Sequence, residues 1–175
     1  MASPIDNTRA FRGSTRGIVY VHDALKAFCK PIEWALADVL GSEVLFHWIP
    51  QPIAPARMRA EISWAGPTGT ASRIVAALGQ LPDLRFEVTE EPTAHSEGER
   101  YAFTPTLGAF RAHMSASGDV LVNEQRIRTL LDSATDVTSL QHSLQLMLGT
   151  PWDAELEPFR VAGEGTPVRW LHRVG

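Results

Sequence analysis

The sequence predicts an α+β fold organised around an antiparallel sheet. Over residues 16–90, strand-like and helix-like segments follow one another as β-α-β-β-α-β. The stretch from Arg57 to Trp64 alternates strictly. Met58, Ala60, Ile62 and Trp64 share one side, and Arg57, Arg59, Glu61 and Ser63 share the other, as in a half-buried antiparallel strand. The chain has 175 residues, 44% hydrophobic and 21% charged, which is ordinary globular usage and enough to close a core without disulfides or metals.

Residues 1–15 contain no apolar run of the kind a signal peptide needs, and they read as an N-terminal tail. Gly17 to His22 is short, β-branched and apolar on both faces, which suits a central strand. A single helix from Asp23 to Leu40 would bury Pro31 in its interior. A turn at 24–29 followed by a helix at 31–40 places that proline in the first turn, where its missing N–H is harmless. Gly41 then supplies the left-handed C-cap. Glu43 to Ile49 is expected as the second strand, ended by Pro50 and a stiff connector rich in proline. Arg57 to Trp64 is the third strand. A GPTGT turn opens a helix at 71–81, and Leu84 to Thr89 is the fourth strand. This order is that of the ferredoxin-like layout.

A polar break at 91–99 marks a boundary between that half, residues 16–90, and a second half, residues 91–175, with the two expected to pack as one compact unit. The second half reads as a meander (100–104, 108–115 and 119–122). Two helices follow, at 124–134 and 137–148, the first with Asn123 as N-cap. The remainder reads as irregular until a closing strand at Val168 to Val174.

Several function classes are disfavoured. A net charge of −4 argues against nucleic acid. The third strand also places Arg59 and Glu61 where an RNA-recognition sheet carries aromatics. No run reaches the roughly 18 apolar residues of a membrane span. The one cysteine, Cys29, forbids an internal disulfide and fits a reducing cytoplasm. Six histidines are scattered without a ligand spacing, so neither metal nor cofactor is expected. The GPTGT turn lacks the lysine of a phosphate loop and reads as a turn and cap. His22-Asp23 is the one adjacent imidazole–carboxylate pair, and no catalytic residue is assigned.

Two stretches are candidate binding sites. On the open sheet face, Tyr20, His22, Arg59 and Glu61 are a candidate small-ligand site by analogy of fold, and the mixed charges opposite one another there read as a cross-strand salt ladder. In the C-terminal stretch, Trp152, Asp153, Glu155, Phe159, Arg160, Arg169 and Trp170 combine the aromatics and arginines typical of interface hot spots. Local stapling of the tail over the core is the competing explanation.

The runs RGIVYVH, EWALADVLG, LRFEVTEEP, RYAFTPTLGAF and PWDAELEPFRVAGEGTPVRWLH resemble an actinobacterial family of unknown function, DUF3145-like, over about residues 16–174. The resemblance implies a cytoplasmic protein with no catalytic residues to transfer, and an association with fatty-acid synthesis. The resulting expectation is a non-catalytic accessory or regulatory protein that binds a protein partner, in fatty-acid or acyl-CoA metabolism. The alternatives are a sensor domain taking a metabolite on the sheet or at a dimer seam, and an enzyme without a recognisable motif. The sequence leaves the oligomeric state open.

Overall fold

The computed structural model describes residues 13–163. These form a mixed α+β fold with five α-helices, one 3-10 turn and a seven-stranded sheet, antiparallel throughout. The strands are β1 (Ser14–Leu25), β2 (Ile49–Pro50), β3 (Arg57–Pro67), β4 (Arg85–Glu90), β5 (Gly98–Thr104), β6 (Gly108–Met114) and β7 (Val120–Leu121). The helices are α1 (Cys29–Leu40), α2 (Thr70–Leu78), α3 (Glu124–Ser133), α4 (Val137–Leu148) and α5 (Thr150–Val161). Spatial order is β2-β3-β1-β4-β5-β6-β7, with β1 between β3 and β4 as its apolar sequence demands.

One sheet face is packed by α1 and α2. Val19, Val21, Phe86, Val88 and Tyr101 meet Ile32, Leu36, Ile74 and Leu78 there. Pro31 is the third residue of α1, where a missing N–H breaks no helical bond, and a 3-10 turn at Lys26–Phe28 leads into it. Gly41 caps α1 at φ 70°, a left-handed conformation costly for any residue with a Cβ. β1 extends beyond the expected segment at both ends. Its register shifts between Val21 and Ala24, a bulge that re-aims His22 and Asp23.

Two expectations are overturned here. The second strand, expected from Glu43 to Ile49, is only Ile49–Pro50, paired with Arg59 and Met58. The reason is a buried carboxylate on α1. Glu33 Oε1 accepts from the Phe46 backbone N–H at 3.1 Å and from Trp48 Nε1 at 2.9 Å. Val44 and Phe46 are therefore pinned into the helix-side core, and their alternation records packing without strand pairing.

The stretch after residue 149, expected to be irregular, contains α5. Pro151 stands in its first turn, where proline is favoured. Pro158 lies inside the helix and is tolerated because Leu156 and Arg160, on either side of it, are both buried against the sheet. The second half thus carries three helices after the meander. The closing strand expected at Val168 to Val174 lies outside the described residues.

Helix α5 also covers part of the face expected to be open. Leu156 packs with Ala102, Phe110 and Ala112, and half-buried Trp152 joins them. The polar residues of β1, β3, β4 and β5 on this face therefore meet a helix along part of their length and a pocket along the rest.

Candidate functional site: a pocket at the end of α5

Beneath α5 lies a buried ion cluster centred on Glu87, which is fully buried. Its Oε2 meets His22 Nε2 at 2.7 Å and Arg160 Nε at 2.9 Å. Its Oε1 accepts from Arg100 Nη2 at 2.8 Å and Arg160 Nη2 at 2.6 Å. Asp153 of α5 bridges the same two arginines. Burial pushes the Glu87 carboxyl up. The His22 hydrogen bond and the neighbouring charges of His22, Arg160 and Arg100 outweigh that and hold it well below the usual carboxylate range. Glu87 is therefore ionised, and His22 carries its hydrogen on Nε2. Charges do pair across strands here, His22 and Arg100 with Glu87, and α5 adds Arg160 and Asp153 to the same cluster.

His22 and Asp23 do not act as a pair. The bulge sends Asp23 to Arg57 and Arg85, which ligate its two oxygens, while His22 turns to Glu87. Arg85 also stacks over the Phe159 ring at 5.0 Å and reaches Glu155 at 3.2 Å.

Where the ion cluster ends, the cover of α5 also ends and a cavity of about 300 Å³ opens. Its floor is sheet: Tyr20 and His22 of β1, Arg59 and Glu61 of β3. Phe159, Arg160 and Gly163 close it from the end of α5, and His47 and Ile49 form the remaining wall. All four sheet-face residues singled out in the sequence thus line one pocket. Tyr20 and His22 stack nearly parallel, with centroids 6.1 Å apart. Burial, with added repulsion from Glu61 and Glu87, pushes the Tyr20 phenol up to about 12. It is therefore a neutral hydroxyl at physiological pH.

The charges lining this pocket differ in how they are satisfied. Arg160 is neutralised by Glu87, Asp153 and Glu157. Arg59 forms no ion pair with a described residue, and its buried Nε has no hydrogen-bond partner. Its guanidinium lies hard against the end of α5, where a Cβ on Gly163 would stand 1.8 Å from Nη1. Glu61 is exposed and likewise has no ion-pair partner among the described residues.

The second candidate set falls largely on α5. Trp152 donates to the Gly108 carbonyl at 3.0 Å and packs on Phe110 at 5.1 Å. Asp153, Glu155, Phe159 and Arg160 make the contacts described above. Arg169 and Trp170 lie outside the described residues. The sequence reading named neither Glu87 nor Arg100 as a site residue. Nothing local in the sequence shows that a distant helix will cover Glu87.

Other candidates are accounted for by internal contacts. The N-terminus of α2, reached through GPTGT, is filled by Glu90, whose carboxylate accepts from Gly69 N–H at 2.7 Å and Ala71 N–H at 2.9 Å. The Cys29 thiol is pushed up by burial and by Glu33, the opposite of activation. Among the described residues no cluster of His, Cys, Asp or Glu could hold a metal ion. No described helix is long and apolar enough to cross a membrane.

Fold and site together define an antiparallel α+β protein with a small, mixed-charge pocket where a sheet meets the end of a helix. The chain belongs to the family described as Protein of unknown function (DUF3145), whose model matches residues 18–173. No curated protein and no solved structure matches the chain.

Proposed function

We propose that this protein is a non-catalytic binding protein that senses or carries a small metabolite in the pocket between the sheet and the end of α5. The observation that carries the reading is the convergence of Tyr20, His22, Arg59 and Glu61 on one cavity roofed by Phe159. At about 300 Å³ the cavity stands at the lower limit of small-molecule sites, which run from about 300 to 1,000 Å³. Its groups suit recognition better than chemistry. Tyr20 is a neutral donor, and His22 is tied to an ionised buried carboxylate. The strand order β2-β3-β1-β4, with α1 and α2 on one face, supports a ferredoxin-like reading of the first half.

A thermal-shift screen of small metabolites tests this. A binder stabilises the folded chain saturably, by about 2.7 kcal/mol at a hundred times its dissociation constant. A flat response across anionic, cationic, zwitterionic and neutral classes overturns the reading.

A second reading, an accessory or regulatory protein docking a protein partner, is favoured by a different surface. Leu121, Ile127, Leu131, Val137, Leu146 and Leu148, from β7 through α4, are all exposed large apolar side chains. Capture of a stoichiometric partner that is lost on Leu131→Ser and Val137→Ser, with folding retained, supports it. Capture unchanged by those substitutions removes that surface from consideration.

A further inference from the structure

We infer that the pocket takes a zwitterion, a small free α-amino acid with an apolar side chain, held by Arg59 through its carboxylate and by Glu61 through its ammonium group. This rests on the small-ligand reading above and specifies its chemistry.

Arg59 is the informative charge: its Nε is buried without a hydrogen-bond partner, and a buried polar group left unpaired is costly, whereas Glu61 is exposed and free to meet a ligand. The pocket wall carries four titratable side chains in addition to Tyr20 and His47: His22, Arg59, Glu61 and Arg160. Two of these, His22 and Arg160, are committed to Glu87. The remaining two are Arg59 and Glu61, of opposite sign, two residues apart on β3 and so on the same face of the sheet. Neither pairs with another described residue. A simple anion would satisfy Arg59 and be repelled by Glu61, and a simple cation would meet the reverse. A ligand with a carboxylate and an ammonium group on one carbon satisfies both side chains together.

The rest of the wall fits the other parts of such a molecule. A guanidinium presents a planar fork that matches a carboxylate, and Gly163 fixes where this one lies. The end of α5, with its partial negative charge, lies against the same guanidinium. The Tyr20 hydroxyl is a donor for a carboxylate oxygen or an acceptor for an ammonium. Ile49 and the Phe159 ring provide the apolar wall for a side chain. The volume excludes a nucleotide-sized ligand lying wholly inside.

Isothermal titration calorimetry of the full chain decides this. The probes are L-leucine and L-phenylalanine, their carboxylate-only analogues 4-methylpentanoate and 3-phenylpropionate, and their amine-only analogues 3-methylbutylamine and phenethylamine. At least one amino acid is expected to bind about tenfold or more tightly than both of its analogues, the effect of one charge-assisted contact. Arg59→Gln should weaken the amino acid and its carboxylate analogue alike by about tenfold or more. Glu61→Gln should weaken only the amino acid, bringing it level with the carboxylate. Gly163→Ala changes no charge but displaces the guanidinium, and should reproduce the Arg59→Gln pattern. Circular dichroism confirms that each variant folds. If Arg59→Gln does not fold, the wild-type analogue series and Glu61→Gln, at an exposed position, still decide.

Equal affinity for amino acid and carboxylate overturns the zwitterion assignment and leaves the small-ligand reading standing. So does binding of some other metabolite class in the thermal-shift screen with none of these six probes. A flat screen together with flat titrations overturns both.

Discussion

Glu87 shows how one residue can hold two parts of a molecule together. Its carboxylate is fully buried and contacts β1 through His22, β5 through Arg100 and α5 through Arg160. Removing one member of a buried ion cluster leaves the others charged and desolvated, which costs about 3–5 kcal/mol. Glu87→Gln is therefore expected to lower unfolding stability by about that amount in urea denaturation at pH 7. The pH dependence has a definite sign. The folded-state pKa of Glu87 lies well below its ordinary 4.5, so its contribution is complete above 4.5 and is lost as pH falls towards the folded value. The gap between wild type and Glu87→Gln should narrow as pH falls below about 4.5. A gap that grows as pH falls below about 4.5 would mean that Glu87 is not the ionised centre of the cluster.

Among the elements, α5 and the α3–α4 pair are opposites. Helix α5 is amphipathic in an unusual sense: its inward face is Trp152, Asp153, Leu156 and Arg160, half of it charged. Helices α3 and α4 are well formed locally. Asn123 caps α3 through Gln125 N–H, and Asp136 with Ser139 forms a reciprocal capping box on α4. Yet α3 buries only Leu130 and α4 buries no residue. Local capping without burial gives helices that open easily. Native-state hydrogen exchange should therefore show the α3–α4 amides exchanging through local opening, far below the free energy of the β1 and α2 amides. Equal protection would mean that the pair is part of the cooperative core.

The same contrast explains what the sequence could disclose. α3 and α4 announce themselves because caps and periodicity are local signals, and β3 does so through strict alternation. Pro31 and Gly41 mark the ends of α1 because backbone chemistry is also local. α5 was hidden because two prolines and an inward charged face obscure the apolar stripe by which helices are recognised. The segment 43–48 was misleading because its alternating Val44 and Phe46 are set by Glu33, a residue on another element. Tyr20, His22, Arg59 and Glu61 could be grouped from strand alternation, since residues of one parity share a face. That the face is half covered, and that a pocket remains at the edge of the cover, depends on contacts between β4 and α5 across about 70 residues.

On the scale of the whole molecule, the sheet runs without a break across the polar segment at 91–99. β4 and β5 pair from Phe86–Phe103 to Glu90–Glu99, and Phe86 stacks on Phe103 at 5.0 Å. Each half contributes to the other's buried surface. The helix-side core built from α1 and α2 includes Tyr101 and Phe103 of β5. Conversely, Arg100 and Arg160 of the second half have their main counter-charge in Glu87 of the first. Residues 13–91 expressed alone would keep β1, β3, β4, α1 and α2. They would also expose Glu87 without either arginine, present β4 as an unpaired edge and lose Phe103, the stacking partner of Phe86. That fragment is expected to lack dispersed amide shifts in NMR spectra and to show no cooperative thermal transition. Adding a separately expressed 92–175 segment should restore both, because the missing pieces are a strand and two counter-charges. A fragment that folds cooperatively by itself would show that the helix-side core is sufficient, and that the Glu87 cluster serves the pocket more than the fold.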